Sequence, residues 1–153
     1  MEEIGDILGY YRLRSKTSPL ELTLVDRVPP ESARWQGYPD FLSQLLLNLL
    51  TNEERHAYPD GQGGRAEVFV TASSGVDGTR FCLSVRDHGV GLNAEERTQC
   101  FEPFYTTGAD KGALGLGLTI VRNIVTQVFG GSITCDAPDG GGTRFSASFG
   151  HCD

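Results

Sequence analysis

Hydrophobic positions along the chain switch repeatedly between a helical and an alternating period. Ile4, Ile7, Leu8 and Tyr11 recur at i, i+3, i+4 and i+7, the spacing of one helix face. This stretch reads as the tail of a helix that ends before Thr17-Ser18-Pro19. Leu20, Leu22 and Leu24 then alternate with polar residues, as in a half-buried strand that stops at Pro29-Pro30. Helical spacing returns with Leu42, Leu45, Leu46, Leu49 and Leu50. Asp40, after Pro39, is a candidate N-cap for that helix, and Tyr58-Pro59-Asp60-Gly61 marks its expected end. Ala66–Ala72 and Arg80–Arg86 predict two strands around a Ser-Ser-Gly-Val-Asp-Gly turn. Asn93–Cys100 predicts a short helix and Leu116–Val128 a longer one. Two more strands, Ser132–Asp136 and Thr143–Phe149, are joined through Pro138-Asp139-Gly140-Gly141-Gly142.

From the first strand onward these elements run β-α-β-β-α-α-β-β. Strands that follow one another directly pair antiparallel, so the pattern predicts an α+β sandwich rather than a doubly wound sheet. Composition narrows this further. The 153 residues fit one domain, and a chain of this size buries about 70% of its unfolded surface, so its core needs no staples. A net charge of -7 and a pI of about 4.9 disfavour a nucleic-acid partner, which needs clustered Lys and Arg. No apolar run approaches the roughly 18 residues of a membrane span, and there is no secretory signal pattern, so no membrane contact is expected. The four cysteines (Cys82, Cys100, Cys135 and Cys152) form no Cys-x-x-Cys pair and read as reduced, mostly buried small hydrophobes of a cytoplasmic protein. Glycine is enriched, and 11 of the 20 fall between Gly89 and Gly142, as expected where backbone packs tightly around a ligand.

Four segments are candidates for chemistry. On the Leu-rich helix, Asn48 and Asn52 lie one turn apart, and Arg55 and His56 continue that face. Neutral amide oxygens suit a hard cation such as Mg²⁺ already balanced by phosphates, and Arg55 suits a phosphate. Asp87 closes a strand with apolar Phe81, Leu83 and Val85, and Gly89 and Gly91 after it leave room for a flat ring. Its carboxylate can accept from an exocyclic amine, which distinguishes adenine from guanine. Gly115-Leu116-Gly117-Leu118 opens a helix whose free N–H groups and positive dipole end suit phosphate oxygens. It is not a P-loop, since no Gly-Lys-Ser/Thr follows, and it does not directly follow a strand as in a Rossmann unit. Phe101–Thr107 can anchor a loop, with Thr106 and Thr107 within reach of a phosphate and Gly108–Leu114 as a lid. Taken singly, each segment also reads as an ordinary polar helix face, turn or packed loop.

In this order the four resemble the GHKL, or Bergerat-fold, ATPases, and among them the catalytic domain of sensor histidine kinases. The resemblance runs from about Leu20 to Phe149. Asn48–His56 is similar to the N box, Asp87–Gly91 to the G1 box, Phe101–Phe104 to the F box and Gly112–Leu118 to the G2 box, and Gly140-Gly141-Gly142-Thr143 resembles the terminal Gly-Thr element. It implies a two-layer α/β sandwich with a mixed, mainly antiparallel sheet of about five strands on about three helices. It also implies ATP and Mg²⁺ as ligands. Asp87, helped by Thr143, would hold the adenine amine, and Asn52 with Asn48 the metal and phosphates. Arg55 and His56 would lie near the phosphates, and the amides around Gly115 and Gly117 would wrap them.

Hydrolytic members carry a Glu four residues before the metal-binding Asn. Here that position is Asn48, which cannot act as a general base. The resemblance therefore implies transfer of the γ-phosphate to a histidine on a separate dimerisation domain, with a response regulator downstream. The chain's own histidines, His56, His88 and His151, occupy no such helix. On this reading residues 1–18 are the tail of a dimerisation helix and linker, and residues 19–150 the catalytic domain of a longer parent, membrane-anchored or not. A serine kinase of the anti-sigma-factor type and a degenerate, non-catalytic interaction module share these motifs. Glu53 and Glu54 stand after Asn52 where the family usually has Ala, and Ala113 and Leu114 replace the Gly and the small or polar residue usual before the last glycines.

Overall fold

The computed structural model describes residues 2–14, 20–57, 64–105 and 117–152, with the backbone alone at Arg14, Arg55 and His56. Within these residues, α1 (Glu2–Arg14) leads to β1 (Glu21–Arg27) and α2 (Pro39–Asn52). The hairpin strands β2 (Arg65–Gly75) and β3 (Gly78–Asp87) follow, then the short α3 (Ala94–Gln99) and α4 (Gly117–Asn123), and finally β4 (Ser132–Asp136) and β5 (Arg144–Phe149). The strands form one sheet in the order β1-β2-β3-β5-β4. β2–β3, β3–β5 and β5–β4 are antiparallel and β1–β2 is parallel, with Leu22 opposite Ala66 and Val68 opposite Val85. The predicted mixed, mainly antiparallel sheet is present.

Strand alternation sends Leu22, Ala66, Val68, Val70, Phe81, Leu83, Val85, Phe145, Ala147 and Phe149 to one face, where all are buried. The helices cover that face. Leu42, Leu45, Leu46, Leu49 and Leu50 of α2 are fully inaccessible, and Val121 with Ile124 and Val125 adds the α4 contribution. Burying one such side chain stabilises the fold by about 1.5–3 kcal/mol, so this leucine seam holds α2 in place. Trp35 closes one end, edge-on to Phe129 and Phe149, with its Nε1 donating to the Gly150 carbonyl at 3.1 Å.

Several boundaries differ from the sequence expectation. Tyr38, not Asp40, is the N-cap of α2; Pro39 fills the first helical position and no side chain caps the helix. Proline needs no N–H partner there, so helix entry is set by its fixed φ instead of a polar cap. The predicted Leu116–Val128 helix is observed from Gly117 to Asn123 and then widens to π geometry over Ile124–Val128, while Leu116 lies outside the described residues. α1 folds back on α2, with Ile4, Ile7, Leu8 and Tyr11 in the common core and Arg12 Nη2 donating to the Leu22 carbonyl at 3.0 Å. Asn93 caps α3 in a reciprocal box with Glu96. All four cysteines are free thiols, and among the described residues no group of three His, Cys, Asp or Glu is placed to hold a metal. No described helix is long and apolar enough to cross a membrane.

Candidate functional site

Asp87 ends β3 on the helix-facing side, at a position where every second residue before it is apolar and buried, and it is 2% exposed itself. Its Oδ1 accepts from the Gly89 N–H at 2.9 Å and the Thr143 N–H at 3.2 Å. The Asp87 N–H donates to the Thr143 carbonyl at 3.0 Å, so the two residues close a backbone ring. Both amides meet Oδ1, and Oδ2 is the carboxyl oxygen that suits a ligand amine.

The backbone around this carboxylate is packed to contact. A Cβ on Gly142 would lie 2.0 Å from the Asp87 carbonyl oxygen, and one on Gly89 would lie 2.1 Å from the Ala57 carbonyl oxygen. The same Ala57 carbonyl accepts from the Val90 N–H at 3.0 Å. Gly91 and Gly142 adopt left-handed φ values of 74° and 80°, and a Cβ on Gly91 would lie 3.3 Å from the Gly142 carbonyl oxygen. The enrichment of glycine between Gly89 and Gly142 therefore has a steric cause at this point. Ala57 carried no sequence signal, because it contributes through its main chain.

On the facing helix, Asn48 and Asn52 are half-buried one turn apart, and the Asn48 amide nitrogen is buried without a partner. An unpaired buried donor one turn from a second amide suits an anionic oxygen, and the Asn52 carbonyl suits a hard cation beside it. After Asn52 the helix widens to π geometry over Glu53–Ala57, a feature frequent at functional sites. Arg55 and His56 lie on that turn; only their backbone is described.

Glu53 is the residue whose placement sequence did not foretell. It is 1% exposed, and no donor meets either carboxyl oxygen. Burial raises its carboxyl well above the ordinary glutamate range, and the neighbouring Asp87 carboxyl pushes it further up. Glu53, the residue after Asn52, thus sits at the Asp87 end, where burial favours its neutral form. Glu54 turns away to accept from the Tyr11 hydroxyl of α1.

The α4 end is looser. Gly117 is exposed, with nothing within 4 Å of an added Cβ, and Leu118 is half-buried against the core. Thr119 Oγ1 donates to the Phe101 carbonyl at 2.9 Å, tying the head of α4 to the loop before it. In that loop Phe101 packs edge-on against Phe145 at 6.0 Å, whereas Phe104 is 72% exposed at a φ of 65°, a conformation a bulky side chain rarely adopts. Thr106, Thr107, Gly115 and Leu116 lie outside the described residues. The structure therefore brings Asp87, Gly89, Gly91, Gly142 and Thr143 together, with Asn48 and Asn52 on the helix whose π turn reaches Val90 through the Ala57 carbonyl, and Gly117 and Leu118 at the head of α4.

The family model for histidine kinase-, DNA gyrase B- and HSP90-like ATPases matches residues 37–151. The chain is 38% identical over 125 residues to the sensor histidine kinase ZraS of Klebsiella oxytoca, covering 82% of this chain and 25% of that protein. It is 32% identical over 126 residues to the alginate biosynthesis sensor protein KinB of Pseudomonas aeruginosa, covering 82% of this chain and 19% of that protein. The chain thus spans about a quarter or less of the length of these relatives. Among solved structures it resembles the mycobacterial sensor histidine kinase MprB, with a TM-score of 0.70 and 25% identity over 99% of this chain and 96% of that one. The catalytic domain of histidine kinase ThkA shares the fold, with a TM-score of 0.71 at 22% identity over 99% of this chain and 94% of that one.

Proposed function

Since the chain belongs to the histidine kinase-, DNA gyrase B- and HSP90-like ATPase family, we propose that it binds Mg·ATP and offers the γ-phosphate to a histidine on a separate dimerisation and phosphoacceptor domain. A response regulator would then take the phosphoryl group onward. The observation that carries this reading is Asp87: a buried carboxylate held by two amides, with one oxygen left for the adenine amine. Thr143 supports it through its own N–H. Asn48 and Asn52 would hold Mg²⁺ and the phosphates, and the bound metal would supply charge neutralisation there. Arg55 and His56, and the backbone of Thr106, Thr107, Gly115, Leu116, Gly117 and Leu118, would complete the phosphate site.

The donor set favours transfer to a protein over hydrolysis. A hydrolytic site needs a base within reach of the attacking water, and Asn48 is an amide. The one buried carboxyl on the same turn, Glu53, is engaged at the Asp87 end. Catalysis by this domain is then mostly positioning and charge neutralisation. The ATP requirement assigns the domain to the cytoplasm. α1 reads as the end of a dimerisation helix, with Tyr10 and Leu13 exposed on the side away from the core, and residues 19–150 as the catalytic unit.

Calorimetry with Mg·ATP tests this directly. Binding that is lost in Asp87→Asn, and less dependent on Mg²⁺ in Asn52→Ala, supports the site. Phosphorylation of an added acceptor helix supports the histidine, and fast hydrolysis without one argues against it. Buried Glu53 beside the base site favours the interaction-module reading, which takes over if the wild type ignores ATP at millimolar concentration.

A further inference from the structure

We propose that Arg86 is a positioning residue for the adenine pocket, acting from the opposite face of the sheet; this rests on the nucleotide reading above. Arg86 precedes Asp87 on β3, so strand alternation turns its side chain away from the helices. There its Nη2 donates to the Asp139 carbonyl at 2.9 Å and the Gly141 carbonyl at 3.4 Å. Both carbonyls belong to the turn that delivers Thr143 to Asp87.

That turn needs an outside tie. Gly140, Gly141 and Gly142 hold φ values of 93°, 95° and 80°, and inside the turn a single bond, Gly141 N–H to the Pro138 carbonyl at 3.2 Å, closes it among the described contacts. Glycine loses more backbone freedom on ordering than any other residue, so three in a row make the turn costly to fix. A charge-assisted donor spanning two carbonyls offsets this.

The neighbouring charges leave Arg86 to that task. Glu67 lies opposite it on β2 but contacts His88 Nε2 at 2.5 Å. Arg144 lies opposite it on β5 and is held by Asp136 at 3.1 and 2.5 Å. The Nε of Arg86 is buried with no partner, so the guanidinium is placed by the turn carbonyls rather than by the satisfaction of all its donors. The line of force is continuous: Arg86 holds Asp139 and Gly141, Gly142 stacks its backbone on Asp87 and Gly91, and Thr143 N–H meets Asp87 Oδ1.

The test compares Mg·ATP with purine riboside triphosphate, which lacks the exocyclic amine, binding to wild type, Arg86→Ala, Arg86→Lys and Asp87→Asn, with a thermal melt of each. Wild type is expected to prefer ATP by about tenfold or more, the worth of a hydrogen bond to a charged acceptor. Arg86→Ala is expected to lose most of that preference while its affinity for the purine analogue changes by less than about twofold. Arg86→Lys, with one compact donor for two carbonyls, falls between. A parallel loss for both ligands, or a preference intact in Arg86→Ala but lost in Asp87→Asn, overturns the proposal and leaves the nucleotide reading standing. No binding of either ligand by wild type overturns the nucleotide reading itself.

Discussion

The two ends of the proposed nucleotide site are built on different terms. At the base end, Asp87, Gly89, Gly91, Gly142, Thr143 and Ala57 are locked by main-chain hydrogen bonds and by backbone contacts that exclude even a methyl group. At the phosphate end, Asn48 keeps a donor unpaired among the described residues, Asn52 is half-buried and no described atom lies within 4 Å of a methyl at Gly117. One end is finished before a ligand arrives; the other has polar groups that a ligand would complete. The difference follows from chemistry. Adenine is flat and neutral and is read by shape plus one amine, so a rigid slot suits it. A triphosphate with its metal is highly charged and must also leave toward an acceptor, so its partners are side-chain amides and a helix head that engage on binding.

Breaking the rigid end should have the largest effect. Gly142→Ala would push a methyl carbon to 2.0 Å from the Asp87 carbonyl oxygen at a left-handed φ. A loss of about 3 kcal/mol or more in chemical denaturation, with ATP binding abolished, is expected. A variant that melts and binds like wild type would show that the base end is as adaptable as the phosphate end.

Glu53 comes next, because it places an acid inside the rigid end. Its folded carboxyl titrates above its unfolded value, so its contribution is fully present below about pH 4.3, the ordinary glutamate value, and is lost as pH rises through the folded one. Wild-type stability therefore declines on the alkaline side of that value, whereas Glu53→Gln, which cannot ionise, removes this part of the slope. Denaturation curves collected between about pH 5 and pH 9 read the difference. Equal slopes would mean that the Glu53 carboxyl titrates no higher in the folded chain than in the unfolded one.

A smaller effect is expected from Asn48→Ala, which sharpens the comparison at the other end. The amide nitrogen it removes has no partner in the fold, so stability should change by no more than about 0.5 kcal/mol while Mg·ATP affinity falls roughly fivefold to tenfold. The smallest change is Gly117→Ala. With no atom within 4 Å of the new methyl, helix propensity should raise stability by up to about 1 kcal/mol. Any ATP affinity lost in that folded variant reports close approach of phosphate to the α4 backbone.

Much of this was legible in the residue pattern. The leucine seam of α2, the alternation in β2, β3 and β5, and the short helix from Asn93 follow from local periodicity, and they appear where expected. Asp87 and the glycines after it stand out as one contiguous motif, whereas Thr143, 56 residues away, was joined to them only by the family resemblance. The entry to α2 was misread because proline at the first helical position leaves no polar cap to find.

What the residue order determined by itself is therefore the set of elements and the chemical character of the site: an amide-bearing helix, a carboxylate at a strand end and glycine-rich backbone. Those depend on spacing within a few residues. Tertiary structure alone decided that Glu53 lies buried beside Asp87, that the Ala57 carbonyl walls in Gly89, and that α1 seals the core over α2. It also decided that Arg86 reaches Asp139 and Gly141. Each of these joins residues distant in sequence through burial or main-chain contact, and neither leaves a period or a motif in the chain.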